Sequence, residues 1–420
     1  MAHPSPDSTV RRPWPGPART AAPGWQTFGL FALLMIASAR FAAHGLRHGD
    51  YADVRMQVLY QAATLGFNYI EFGAVRRGLG GSIARLLSDD LILATITFHF
   101  LSALGVALTV VWLFRGLAAA SLTRCAFAVT ALVIMVRWGV DGGRTDMAVA
   151  CLLGCTAIAF RRGHPALGAA CVGLGLFIHE SSLIFGVPLL AALVMQGGGW
   201  SRLARRQQLA GGAALALALA VYAGMGALPR ADAATMVAAV RGKLIAHEHV
   251  EWAMYYALSG LRGVETSLCQ NLTDPSYWVH PTSGLVVMAL AGVALLGRQR
   301  TQWTWALLAA LPGFVFLCVV ANDASRWAMF GCFNIWLMAA SAPAPVTAVD
   351  GMGRGRLGLA LAIALIPLVL YQPAKIEYRI YAPSPLIERV VRELGGARTP
   401  SVAEALERCD PSWTEVLNGR

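Results

Sequence analysis

The residues that could do chemistry are few in this sequence, and they fall in polar segments between long apolar stretches. Arg76 and Arg77 stand side by side in the string Ala-Val-Arg-Arg-Gly-Leu-Gly-Gly-Ser. Adjacent guanidinium groups can hold a phosphate through paired N–H donors, and the neighbouring glycines let the backbone approach such a ligand closely. The pair therefore predicts a phosphate clamp, with contact to anionic lipid headgroups as the alternative.

The same polar segment, 44–90, carries three carboxylates that could act as a general base. Asp50 lies just past the first apolar stretch, and Asp53 and Glu71 follow it. A base must reach the proton that it removes, so the edge of an apolar region suits an acceptor hydroxyl held near a membrane. For Asp50 the alternative is a helix cap or a solvated loop residue.

Three further short polar segments each place an acidic residue next to an apolar stretch. Charges this close to hydrocarbon are costly, and they are usually paired or functional, although Asp146 could instead cap the helix that follows it. His179-Glu180 is not the zinc-protease motif, because a second histidine four residues further on is missing. We predict no cofactor, and a divalent metal held by Asp141 or Asp323 is left open. The residues of these segments are Asp141, Arg144, Asp146, His179, Glu180, Asp323 and Arg326.

The elements that position these residues are predicted to be membrane helices. Hydrophobic residues make up 56% of the chain and charged residues only 14%, whereas a soluble protein carries about a quarter charged residues. A span needs about 20 apolar residues. We predict an all-α, polytopic bundle of about 11 spans (9–12), in which 165–178 and 181–196 form either one kinked helix or a hairpin. The candidates are 24–43, 91–117, 124–137, 146–160, 165–178, 181–196, 208–228, 282–297, 303–321, 325–341 and 357–372.

Arginines set the predicted orientation, because basic residues favour the cytoplasmic side of short loops. Five short loops carry them and all fall on one side when the N-terminus is cytoplasmic. Residues 1–23 then form a disordered cytoplasmic tail and 24–372 the bundle, starting with an uncleaved anchor. The loops 44–90 and 229–281 and the short tail 373–420 are external. Loop 44–90 has the alternation of amphipathic interfacial helices.

Two cysteines, Cys269 and Cys409, fall in these external polar segments. The external side of a bacterial inner membrane is oxidising, so we predict that they form a disulfide that tethers the tail to loop 229–281. The net charge of +11 does not indicate nucleic acid, because the arginines are spread through loops and form no basic stripe with interleaved aromatic residues.

The span layout over residues 24–372 resembles bacterial multi-spanning glycosyltransferases of the C-type fold (GT-C) and related membrane proteins of surface-polysaccharide assembly. Also similar are the strings Asn-Tyr-Ile-Glu-Phe-Gly-Ala-Val-Arg-Arg-Gly-Leu, Gly-Gly-Arg-Thr-Asp-Met, Phe-Ile-His-Glu-Ser-Ser and Asp-Ala-Ser-Arg-Trp, together with the first external loop that opens with Asp50. The resemblance implies the inner membrane, a sugar donor on a polyprenyl phosphate, a glycan or lipid acceptor, and Asp50 as the general base with Asp53 as substitute. Arg76, Arg77, Arg144 and Arg326 would hold the donor phosphate. The loop lacks the paired Asp-Glu of several such families.

Two other functions compete with the transferase. A transporter or flippase for a lipid-linked or anionic substrate would use the same arginines, and the polar break at His179-Glu180 favours it, although no internal repeat supports it. A non-catalytic scaffold for envelope assembly would need none of the external charges.

Overall fold

The computed structural model describes residues 23–39, 51–117, 121–139, 144–199, 203–244, 261–273, 278–296, 300–321 and 323–342, together with the single positions 355 and 358 and the pair 408–409. Within these ranges the regular structure is helical, in agreement with the predicted all-α class. The helices are α1 (Gly24–Ser38), α2 (Tyr51–Gly66), α3 (Tyr69–Phe72), α4 (Gly78–Leu87), α5 (Leu91–Arg115), α6 (Ser121–Trp138), α7 (Asp146–Arg161), α8 (Pro165–Leu176), α9 (Ser181–Gln196), α10 (Arg205–Gly224), α11 (Ala233–Lys243), α12 (Leu261–Thr273), α13 (Val279–Leu296), α14 (Arg300–Val320) and α15 (Ala324–Ala340).

Ten of the eleven predicted apolar segments each coincide with one helix, within a few residues at either end. The eleventh, 357–372, lies outside the described residues except for position 358. Apolar runs of this length can satisfy their backbone groups only within a helix when they are surrounded by hydrocarbon or by other helices. The location of the helices was therefore predictable from the sequence.

The number of spans differs from the prediction. Among the described residues, three helical segments are long and apolar enough to cross a membrane: Leu91–Arg115, Arg205–Ala227 and Arg300–Val320. Four others are apolar but shorter: Gly24–Ser38, Pro165–Leu176, Ser181–Gln196 and Gly284–Leu296. At 1.5 Å per residue, a helix of 12 residues such as α8 covers about 18 Å, less than the hydrocarbon thickness of about 30 Å. The prediction of about 11 spans therefore counted apolar helices, several of which are too short to cross.

Helices α8 and α9 form a hairpin, which decides between the two alternatives left open for this stretch. The hydroxyl of Ser182 donates to the carbonyl oxygen of Val172 at 3.0 Å, and a Cβ on Gly186 would lie 2.7 Å from Val172 Cγ1. In a continuous helix, residues 172 and 186 would be separated by about 21 Å. The chain therefore reverses at 177–180, and His179 and Glu180 lie at the tip.

Helix α15 lies in the middle of the bundle, in contact with α6, α7, α9, α13 and α14. Its side chains are buried on all sides, as expected of a helix without a polar face. Trp336 is fully buried, donates Nε1–H to the carbonyl oxygen of Phe127 at 3.0 Å, and stacks on Phe333. Because α15 is central, the charged residues at its first turn lie inside one end of the bundle.

The described part of the first polar segment, 51–90, forms α2, α3 and α4. Helices α2 and α4 pack against α5, and α3 contacts α4. A second apolar cluster joins this region to α11 through Leu59, Phe67, Met236 and Val240, and Gly73 forms an isolated antiparallel bridge with Arg230. The helical content predicted for the segment is confirmed. The two predicted external segments, 44–90 and 229–281, thus contact each other in their described parts.

Candidate functional site

Glu180, at the tip of the α8–α9 hairpin, binds both members of the arginine pair. Arg76 Nε donates to Glu180 Oε1 at 2.5 Å, and Arg77 Nε donates to Glu180 Oε2 at 2.6 Å. The hydroxyl of Tyr222, at the end of α10, also donates to Oε1. The side chains of Arg76 and Arg77 remain 29% and 20% exposed. Both arginines are therefore fixed in place by one carboxylate and still reach the surface.

The backbone around Arg77 is unusual. Arg77 has φ +60°, and it is the single non-glycine residue with positive φ in the described part of the chain. Side chains other than glycine seldom adopt this conformation, which persists where surrounding contacts enforce it and which is enriched at functional sites. The peptide N–H of Leu79, just beyond it, donates to the carbonyl oxygen of Phe177 at 3.3 Å. The start of α4 is thus hydrogen-bonded to the tip of the α8–α9 hairpin.

A second ion pair, between Arg326 and Asp146, lies deeper. Arg326 Nε donates to Asp146 Oδ2 at 2.5 Å, and Nη2 donates to Oδ1. The side chains are 10% and 3% exposed. Arg326 also lies over the ring of Trp327, with Cζ 4.4 Å from the centroid, which is a cation–π geometry. The N-cap of α7 is Thr145, and Asp146 is the first residue of the helix. Asp146 therefore pairs with an arginine and is not the helix cap that was its predicted alternative.

Asp323 holds a third group of arginines. Its Oδ2 accepts from Arg144 Nη1 at 2.9 Å, and Arg137 Nη2 lies 3.6 Å from Oδ1. Burial alone would raise the pKa of Asp323, but Arg144 and Arg137 together lower it to about 2. Its side chain also accepts from the backbone N–H of Arg326 at the start of α15. Asp323 is therefore ionised and links the first turn of α15 to α6 and to the start of α7.

His179 connects these groups. Its Nε2 lies 3.3 Å from Arg326 Nη2, its Nδ1 accepts from the backbone N–H of Ser181 at 3.1 Å, and Glu180 follows it in the chain. Burial lowers the pKa of His179, and the nearby Arg77 and Arg326 lower it further. The ring is therefore neutral at ordinary pH, and a chain of contacts runs from Arg76 to Asp323.

The resulting arginine–carboxylate network joins residues from four distant segments. Its charged members in the described ranges are Arg76, Arg77, Arg137, Arg144, Arg326, Asp146, Glu180 and Asp323. Burial would raise the pKa of Glu180, yet Arg77 and Arg76 hold it well below its usual range. The guanidinium groups of Arg76 and Arg77 share the single carboxylate of Glu180. This local excess of positive charge at the surface favours an anionic ligand.

Most of the predicted site residues come together in this network, and others do not. Glu71 lies in a separate group, where Lys243 Nζ at 2.6 Å and Arg85 Nε at 3.0 Å bind its carboxylate. Asp50 and Asp141 lie outside the described residues, and Asp53 belongs to α2 at a position whose side chain is outside the description. Their predicted roles stay predictions.

Two network members escaped the sequence reasoning. Arg137 and Tyr222 stand near the last turns of the apolar segments 124–137 and 208–228, where they were counted as part of the spans. An arginine at the end of an apolar run was the available signal for Arg137, because such a charge is rarely unpaired. Nothing in the sequence distinguished Tyr222.

No group of three or more His, Cys, Asp or Glu residues suited to a metal ion occurs in the described ranges. Asp323, one of the two carboxylates left open as a metal ligand, is bound by arginines.

A disulfide joins Cys269 and Cys409, the two cysteines that we paired from the sequence; their Cα atoms are 5.9 Å apart. Asn271, on the same helix as Cys269, donates Nδ2–H to the carbonyl oxygen of Val319 at 3.0 Å. That carbonyl lies at the end of α14, next to the segment that holds Asp323. The disulfide and the arginine–carboxylate network therefore lie at the same end of α14.

Comparison with protein families, with curated proteins and with solved structures finds no match for this chain.

Proposed function

We propose that this chain is a membrane glycosyltransferase that takes its sugar from a polyprenyl-phosphate donor for envelope or surface-polysaccharide assembly. The observation that carries the proposal is the convergence of five arginines and three carboxylates from distant segments at one end of an apolar helical bundle. A scaffold protein would have no need of a cationic site assembled in this way.

The chemistry of the leaving group supports a transferase. When a sugar leaves a polyprenyl phosphate, negative charge develops on the phosphate, and preorganised cations stabilise that charge in the transition state. Arg76 and Arg77 are positioned by Glu180 before any ligand arrives, so little reorganisation is needed. Asp50, and after it Asp53, is proposed as the base that deprotonates the acceptor hydroxyl.

The disulfide supports an external site. Disulfides persist in oxidising compartments, and the Cys269–Cys409 disulfide lies at the same end of α14 as the network. The arginine-rich short loops between the apolar segments favour the opposite side as cytoplasmic. We therefore propose that the network faces the external side of a bacterial inner membrane and receives a donor and a glycan or lipid acceptor there.

The test is sugar transfer by the purified chain in proteoliposomes that contain a polyprenyl-phosphate-linked, radiolabelled sugar. Arg77→Gln removes one phosphate donor and should lower the transfer rate about 100-fold or more. Arg162→Gln is the control, because Arg162 ends the region of α7 that Asp146 begins, about 24 Å away. Equal transfer by Arg77→Gln and wild type would contradict the proposal.

A carrier for the same lipid-linked anion is the second candidate, because the His179–Glu180 tip interrupts an apolar stretch and buries His179 in the bundle. In the same proteoliposomes it would move the labelled lipid between leaflets without forming a glycosidic bond. Translocation of the labelled lipid without formation of a glycosidic product would favour the carrier over the transferase.

A further inference from the structure

The ring of His179 meets hydrogen-bond donors on both of its nitrogens. The backbone N–H of Ser181 points at Nδ1 from 3.1 Å, and Arg326 Nη2 lies 3.3 Å from Nε2. A neutral imidazole has one acceptor nitrogen and one N–H. Only one of the two contacts can therefore be a hydrogen bond.

The contact with Ser181 is the one that acts as a hydrogen bond. It is the shorter of the two, and it comes from a backbone N–H that fixes the ring at the start of α9. With Nδ1 as acceptor, the proton of the neutral ring lies on Nε2. Nε2–H then faces a guanidinium group, and no acceptor for it occurs among the described residues.

Two neighbouring donors share this condition. The hydroxyl of Ser181 and the indole Nε1–H of Trp327 are both buried, and neither has a hydrogen-bond partner in the described part of the chain. The ring of Trp327 lies 6.3 Å from that of His179. Buried polar groups without partners are uncommon and costly, so three such donors around the His179 ring point to an acceptor that the described residues do not supply.

We propose that His179 Nε2–H and Arg326 together bind one anionic oxygen of a phosphate group, so that His179 is a ligand-binding residue. An oxygen that accepts from both would turn the donor–donor contact into two hydrogen bonds, one of them charge-assisted. The inference rests on the proposed function only for the source of the phosphate, which is the lipid-linked donor there; a free phosphate offers the same oxygen.

Two substitutions separate binding from a purely structural role. The amide nitrogen of glutamine can occupy the place of Nε2, whereas the side chain of asparagine reaches only as far as Nδ1. If His179 binds phosphate, His179→Gln keeps most of the affinity and His179→Asn loses about tenfold or more. If His179 only accepts from Ser181, His179→Asn keeps the affinity and His179→Gln loses it, which would overturn the proposal.

The affinity is measured in lipid nanodiscs without any sugar acceptor, first with a polyprenyl phosphate in the bilayer and then with inorganic phosphate in solution. Binding of the lipid alone assigns the site to the lipid-linked phosphate, and equal binding of inorganic phosphate assigns it to a free anion; either result supports the shared phosphate chemistry. Binding that depends on His179 in a protein that transfers no sugar leaves this inference standing and removes only the transferase.

A second measurement on the unaltered protein does not depend on the folding of a variant. Nitrogen NMR of 15N-histidine-labelled protein, with the His179 signals assigned by difference from both variants, should show protonated Nε2 and unprotonated Nδ1. The Nε2–H signal should shift on addition of polyprenyl phosphate or inorganic phosphate, whichever of the two binds in the nanodisc assay. A proton on Nδ1, or an Nε2–H signal that neither ligand moves, would overturn the proposal.

Discussion

Neutralising Asp146 should destabilise the protein more than neutralising any exposed carboxylate. Asp146→Asn keeps the size of the side chain but removes the charge that faces Arg326. The two side chains are 3% and 10% exposed in the folded chain. A guanidinium group buried to this extent cannot recover the lost interaction from water.

The expected cost follows from this burial. Breaking a buried ion pair by removing one partner costs about 3–5 kcal/mol. Arg326 keeps its contact with the ring of Trp327, which is worth about 1 kcal/mol, so we place the loss near the lower end, at about 3 kcal/mol. Asp89→Asn is the matched control, because Asp89 also pairs with an arginine, Arg85, but is 91% exposed. Exposed pairs contribute little, and this variant should unfold like the wild type.

A double substitution isolates the role of the pair. Asp146→Leu with Arg326→Met removes both charges and fills the site with apolar groups of similar size, which is often neutral or stabilising for buried pairs. The free energy of unfolding, from denaturant titration in detergent, should therefore return to within about 1 kcal/mol of the wild type. Sugar transfer should be lost in this double variant, since Arg326 binds the donor phosphate in our proposal.

Two results would refute this reasoning. A loss below about 1 kcal/mol for Asp146→Asn would mean that the ion pair is open to water. A double variant as unstable as the single one would mean that the pair acts through packing and not through charge.

Three further predictions concern the rest of the chain. The pKa of Asp323 is about 2 in the folded chain against 3.8 for the free side chain. Its ionic stabilisation of about 2 kcal/mol is therefore present above about pH 4 and is lost as the pH falls towards 2. The free energy of unfolding of Asp323→Asn, which retains a capping side chain, should equal that of the wild type at this low pH and fall below it near neutrality. Mass spectrometry of protein purified without reductant should find Cys269 linked to Cys409, and two free thiols would contradict the structure. Gly81→Ala should lower the thermal unfolding temperature, because its Cβ would lie 2.1 Å from the carbonyl oxygen of Phe67, and an unchanged temperature would exclude this close approach.

The positions of the helices were predictable from the sequence because apolar runs of sufficient length must fold as helices in this environment. The number of membrane spans was not predictable, because the ends of each helix depend on how the chain packs. The stretch 165–196 shows this: its length fits one long helix, but the contact between Val172 and Gly186 makes it a hairpin. No local signal in the sequence distinguishes the two.

The composition of the site was also partly readable. Charges at the edges of apolar runs are usually paired or functional, and this rule selected Asp146, Glu180 and Arg326. Arg76 and Arg77 were selected as an adjacent pair beside glycines that could hold a phosphate. The pairing was beyond the sequence, because Arg76 meets Glu180 across 104 positions in the chain. Such pairing is a product of tertiary packing, and so is the donor–donor contact of His179.

The measurement that tests the central proposal most directly is the equilibrium binding of a polyprenyl phosphate to the purified chain, with native mass spectrometry as the readout. We predict that the wild type and Arg162→Gln retain one lipid phosphate each, and that Arg76→Gln and Arg77→Gln release it. Equal retention by all four proteins would show that the arginine–carboxylate network does not bind the donor.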